Sequence, residues 1–298
     1  DDRVEACRQL VVVGTSETIP ALAALLPDEK LSHMARFALE PVPDPAVDAA
    51  FRDALGKVKG KLLAGVVASI GARRDAGAVA ALAKLLKSPD LQVASAAAAA
   101  LGRIGTPAAA DVLEKALASA APGLRPALHE GGLECARALA ESGRRDRAAA
   151  LFDRLRAPKM PAAVREAALR GAIVARGDAG LPLLIEHLRG ADPAMAGVAL
   201  WVAARNLPGA KVTEALAAEL GKVPAERRPL LVQVLGSRGD RAALPALQEA
   251  AASGDKPVRL AALRVLPQLD EASAVPALVK ALSDADAEVV KAAQSGLA

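Results

Sequence analysis

The chain has 298 residues, 53% of them apolar but only 1% aromatic, with three Phe, one Trp and no Tyr. That excludes a core filled by rings and fits closely packed helices of Ala, Leu and Val, alanine being the best helix former. The 38 Lys and Arg nearly balance 34 Asp and Glu, so composition holds no concentrated basic stripe of the kind that grips nucleic acid, and two cysteines exclude a disulfide framework.

No apolar run approaches the roughly 20 residues of a spanning helix. Membrane insertion is therefore not expected. No signal peptide is visible, and the compartment stays open. The chain begins at Asp1 and its last segment, Val289 to Ala298, matches the opening helix of a repeat. The expectation is a piece of a longer array or of a multidomain chain, because arrays normally close with polar capping repeats.

In chain order, units begin near residues 1, 29, 57, 91, 123, 161, 193, 224, 256 and 287. Residues 1–298 then form a single array of about nine helix pairs and a partial one. The first unit holds Cys7, expected to be a small buried residue like Cys135. The second carries Pro41, Pro43 and Pro45, which make its turn rigid. The fifth is longer than its neighbours and opens between Pro122 and Pro126. The first two units and the seventh follow the pattern least well.

The pattern itself is Val-x-x-Ala-Ala at Val93, Val164, Val258 and Val289, the last two 31 residues apart. Offsets such as Val93, Ala96, Ala97 and Leu101 place one apolar stripe on one helix face. A turn follows at Ile70-Gly71, Ile104-Gly105, Arg176-Gly177 and Arg238-Gly239, where Gly can end a helix. Thr106-Pro107, Asp178 and Asp240 look like N-caps of the next helix. The second helix is apolar at offsets 0, 3 and 7, as in Val79, Leu82 and Leu86, in Leu181, Leu184 and Leu188, and in Val275, Leu278 and Leu282. Turns such as Ser88-Pro89-Asp90 close the unit.

The stretches Val93 to Leu117, Val164 to Leu188 and Val258 to Leu282 resemble bacterial HEAT-like repeats, the short-period class also seen in phycobilisome lyase-type proteins. The resemblance implies an all-α fold, a right-handed α-solenoid, with second helices lining the concave face. It leaves function open, since such proteins include scaffolds, chaperone-like proteins and a few members that handle DNA or chromophores.

On a second helix, offset 5 lies about 170° from the core centre. That column reads Ala24, Lys84, Lys115, Asp153, Glu186, Ala218, Glu249 and Lys280. Offset 2 reads Ala21, Ala81, Val112, Ala150, Leu183, Ala215, Ala246 and Ala277. The expected face is a shallow, alanine-lined channel with charges of both signs. A phosphate groove would need cations of one sign along its length. The densest basic region is Arg137, Arg144, Arg145, Arg147, Arg154, Arg156 and Lys159, with Glu141, Asp146 and Asp153 interleaved; the favoured reading is a solvated helix surface, and it is the first place to look for bound nucleic acid or an acidic protein.

Catalytic signatures are missing. His129-Glu130 opens like a zinc-protease motif, but Leu133 stands where the second His belongs. His33 and His187 are isolated, and no cluster has metal-ligand spacing. Gly131-Gly132 and Gly102-x-x-Gly105 are read as structural rather than as phosphate loops. Trp201 is expected to pack between units. The reading is a scaffold, not an enzyme, that needs no metal or cofactor and binds a protein or peptide. Nucleic-acid binding through residues 137–159, and lyase-like handling of a tetrapyrrole, are the alternatives.

Overall fold

A computed structural model describes residues 5–6, 9–10 and 14–298. Cys7 lies outside the described residues. Among the described residues there are α-helices and short 3-10 turns but no strand. The helices are of two alternating kinds. The first helices of successive repeats are α2 (Ser32–Leu39), α4 (Gly60–Ala72), α6 (Leu91–Ile104), α8 (Arg125–Glu141), α10 (Ala162–Arg176), α12 (Pro193–Arg205), α14 (Arg228–Ser237), α16 (Lys256–Leu269) and α18 (Ala287–Leu297). The second helices are α1 (Ile19–Ala23), α3 (Pro45–Ala54), α5 (Val79–Leu85), α7 (Pro107–Ser119), α9 (Arg145–Leu155), α11 (Leu181–Arg189), α13 (Ala210–Ala217), α15 (Leu244–Ser253) and α17 (Glu271–Ala281). This is an all-α repeat fold of the α-solenoid class.

The chain forms two compact units, 1–171 and 172–298, and the division falls within α10. In the first unit α4, α6 and α8 stack as a row, with α7 and α9 against α8. In the second, α14, α16 and α18 form a like row, and α15 and α17 pack on α16. In both, first helices meet first helices in one layer and second helices form the other.

Local chemistry sets the helix ends. Asp90 accepts from the amides of Gln92 (2.9 Å) and Val93 (3.3 Å) and starts α6. Gly105, at φ +61°, closes it, in a conformation without penalty only for a residue lacking Cβ. Thr106 then caps α7 through the amide of Ala109 (3.2 Å), with Pro107 at the first helical position. Asp240 caps the 3-10 turn before α15 in the same way. Asp178 does not cap. The chain passes from α10 straight into the turn Gly177–Gly180, without the extended residue a cap requires. Gly71 likewise does not end its helix: α4 runs on to Ala72, and Arg74 takes the left-handed position.

The core is built mainly of Leu, Ala and Val, with Phe51 and Phe152 also buried. Val93, Ala97 and Leu101 are buried, as are Leu82, Leu184 and Leu188. The first helices approach until backbones touch. A Cβ added to Gly102 would lie 2.7 Å from the Gly131 carbonyl oxygen, and one added to Gly131 would lie 2.5 Å from that of Ala98. The glycines of these two motifs are therefore structural. Gly71 plays the same part against Ala100. In the last repeat the apolar triplet is only partly buried. Leu278 is enclosed, but Val275 and Leu282 are 45% and 38% exposed, because α17 packs on its neighbours through Ala274, Leu278 and Ala281 and nothing described covers its other face.

Arginines fasten repeat to repeat. Arg73, just after α4, donates to the carbonyls of Glu40 (2.8 Å), Val42 (2.7 Å) and Asp44 (3.2 Å) and pairs with Asp48 at 2.5 Å. These carbonyls belong to the proline-rich turn, whose rigidity thus has a cation at its centre. Arg238, at the equivalent place after α14, reaches back to the carbonyls of Ala203 and Gly209 and to the hydroxyl of Thr213. Of these carbonyls, those of Glu40 and Ala203 lie at helix C-terminal ends, where partial negative charge suits a cation, and the others belong to the turns that follow.

Candidate functional site

The first unit holds an open groove of about 970 Å³. Its walls are the end of α5, the turn from Leu86 to Pro89, the start of α6, the outer half of α7 and the turn from Ala120 to Leu124. Helix propensity and capping explain the placement. Asp90 fixes where α6 starts, Thr106 fixes where α7 starts, and the 3-10 turn at Pro122 turns the chain across the groove's end. The floor is apolar, from Leu86, Ala94, Val112, Ala116 and Leu124. Leu91, the first residue of α6, lies off the buried stripe and is 51% exposed at its edge.

Three exposed lysines, Lys84, Lys87 and Lys115, line the same groove. None of them makes an ion pair among the described residues. The nearby carboxylates are engaged elsewhere. Asp111 pairs with Arg147 at 2.7 Å, Glu114 pairs with Arg147 at 2.8 Å and Arg154 at 3.4 Å, and Asp90 caps α6. The groove therefore joins an apolar floor to a rim of one sign.

The structure brings together only part of the column read from the sequence. Lys84, Lys115 and the offset-2 residues Ala81 and Val112 belong to the first unit, and of these Lys84, Lys115 and Val112 line the groove. Asp153, also in the first unit, is half-buried and pairs with Arg156 at 2.8 Å. Glu186, Glu249 and Lys280 are exposed on the second helices of the second unit. Lys87 and Leu91 escaped the sequence reading because both fall outside the periodic core positions. The usable signal was an aliphatic residue directly after a capping Asp, two places before the buried Val93.

The arginine-rich region is largely neutralised. Arg137 pairs with Glu134 (2.5 Å) and Glu141 (2.7 Å), and Arg147 and Arg154 share the carboxylates of α7. Hydrogen bonds donated to the carboxylates of Glu134 and Glu114 raise the already high pKa values of Arg137 and Arg147 respectively. Arg144 and Arg145 stand exposed. Trp201, expected to pack between units, is 42% exposed, with Arg205 over its ring at 5.4 Å.

Cys135 is buried in α8, and desolvation pushes its thiol up to about 12. It is a packing residue. Burial, then the charge of Arg125, lowers the pKa of His129. No group of three or more His, Cys, Asp or Glu among the described residues could hold a metal ion. No helix among the described residues is long and apolar enough to cross a membrane.

No curated protein matches the chain. Among solved structures it is similar to human deoxyhypusine hydroxylase in complex with glycerol, at 21% identity and a TM-score of 0.37, over 94% of this chain and 95% of that one. A likeness so loose leaves the assignment to the sequence pattern described as HEAT repeats, which matches residues 49–129 and 213–298. These stretches make up more than half of the sequence, and the chain belongs to the HEAT-repeat family.

Proposed function

We propose that this chain is a non-catalytic scaffold that binds a protein or peptide partner along the face of its second helices, residues 1–298 being read as consecutive parts of one repeat array. The observation that carries the reading is the open groove of about 970 Å³, whose floor and rim come from α5, α6, α7 and the turns between them. A stretch of partner chain gains by covering apolar surface such as Leu91, which folding leaves exposed. Repeat arrays offer extended surfaces of this kind, each repeat adding one strip. Lys84, Lys115 and Asp153 represent that face in the first unit, and Glu186, Glu249 and Lys280 represent it in the second.

The arginine-rich stretch gives nucleic acid no comparable support, since Arg137, Arg147 and Arg154 already face carboxylates. The test is site-specific crosslinking. A photoreactive residue at Lys84, Lys115 or Lys280 is expected to capture a partner protein from native extract. The same group at Arg103 or Arg170, exposed on first helices, is expected to capture none. Capture confined to the first-helix positions would refute the assignment of the face.

A further inference from the structure

We infer that the groove of the first unit receives an acidic amphipathic peptide segment, one that sets aliphatic side chains on the apolar floor and Asp or Glu side chains against Lys84, Lys87 and Lys115. The inference rests on the scaffold reading and goes further by naming the partner's chemistry.

Charge decides the sign of the ligand. The groove's three cations are exposed and unpaired among the described residues. The carboxylates that could have neutralised them are held away: Asp111 and Glu114 on α7 turn to Arg147, and Asp90 accepts from the first amides of α6. Each of these pairings is made between or within helices of the fold, so a ligand does not release it. The rim stays positive, and complementary charge both speeds encounter and rejects basic partners.

The floor decides the rest of the chemistry. Leu91 projects half in the open beside Leu86, Val112 and Leu124. Apolar side chains on the ligand remove that surface from water. A nucleic-acid strand cannot use it well. No aromatic side chain lines the groove for a base to stack on, and three lysines supply few phosphate contacts. A small anion would satisfy the lysines and leave the floor wet. A segment with acids on one face and aliphatics on the other satisfies both at once, in the manner of an amphipathic helix laid into a groove.

The test is fluorescence anisotropy on the whole chain with three labelled synthetic peptides of equal length. The first carries Leu on one helical face and Glu on the other. The second replaces every Glu by Lys, and the third replaces every Leu by Ser. The first peptide is expected to bind, to weaken as salt rises, and to outcompete the other two at least tenfold. Three exposed charge pairs at about two- to threefold each amount to roughly tenfold in affinity, the loss expected when Lys84→Gln, Lys87→Gln and Lys115→Gln are combined. These side chains are exposed, so the fold survives their change, which circular dichroism checks. Ala116→Trp, which fills the floor, is expected to abolish binding; Arg103→Gln, exposed on the first helix α6, is expected to leave it unchanged.

Equal binding of the acidic and basic peptides, or an affinity within twofold of the original in the triple lysine variant, overturns the inference. If a crosslinker at Lys115 captures a partner through a basic segment, the inference fails while the scaffold reading stands. If no peptide binds and crosslinkers at Lys84, Lys115 and Lys280 capture no protein, both fail together.

Discussion

The same substitution, glycine to alanine, should have opposite signs at two helical sites. In α8, Gly131 is buried, and its added Cβ would lie 2.5 Å from the carbonyl oxygen and 3.0 Å from the carbonyl carbon of Ala98. Both atoms are backbone of α6, which is itself held by Gly102 against α8, so neither helix can yield cheaply. Overpacking of this kind costs about 1–3 kcal/mol. Alanine returns up to about 1 kcal/mol through better helix propensity. Gly131→Ala should therefore destabilise the chain by roughly 1–2 kcal/mol. In α12, Gly197 is exposed and an added Cβ meets nothing within 4 Å. Gly197→Ala should stabilise by about 0.5–1 kcal/mol. Urea titrations followed by circular dichroism give both numbers, and thermal midpoints should move by about 2–4 °C per kcal/mol. If Gly131→Ala proved as stable as the parent, or if both variants moved the same way, the account of touching first helices would be wrong.

Three further predictions follow from particular contacts. Glu219 is buried, accepts from Arg189 at 2.5 and 2.8 Å and from Lys222 at 3.2 Å, and has its pKa lowered chiefly by the Arg189 hydrogen bonds. A lowered folded pKa adds stability above the ordinary carboxylate value of about 4.3, lost as pH falls through the folded value. Glu219→Gln should cost about 1–2 kcal/mol at pH 7, discounted because Arg189 is half exposed, and the gap from the parent should close in acid; a gap independent of pH counts against the pairing. Cys135, its thiol pushed up to about 12, should resist alkylation in the folded chain and react only on unfolding, as read by mass spectrometry of its peptide. Arg73→Met should cost about 2 kcal/mol and speed amide exchange at Val42 and Asp44, leaving exchange in α12 unchanged.

Much of the fold was legible because a period of about 31 residues, buried stripes such as Val93-Ala97-Leu101 and capping Asp and Thr residues are all local signals. What escaped depended on distance. Gly71 read as a helix end, but its role is set by Ala100 of the next first helix. Val275 and Leu282 matched the apolar pattern, which records what a helix offers and not whether a neighbour accepts it. The site was half legible. Lys84 and Lys115 followed from helical geometry, whereas Lys87 and Leu91 join them only because two turns converge. Composition showed part of the pairing in the arginine-rich stretch, since Glu141 and Asp153 are interleaved with it, but not the partners of Arg147, Asp111 and Glu114, which lie 36 and 33 residues upstream, one repeat away.

Arg73 and Arg238 sit at the same point of the repeat and each reaches back to carbonyls of the one before. A repeat that frays therefore strips hydrogen-bond donors from its predecessor as well as losing its own contacts. Unfolding at such a joint spreads backwards along the chain, which raises the nearest-neighbour coupling of the array above what apolar stacking alone supplies. Excising a single repeat should accordingly weaken the preceding one more than the following one wherever an arginine guards the joint.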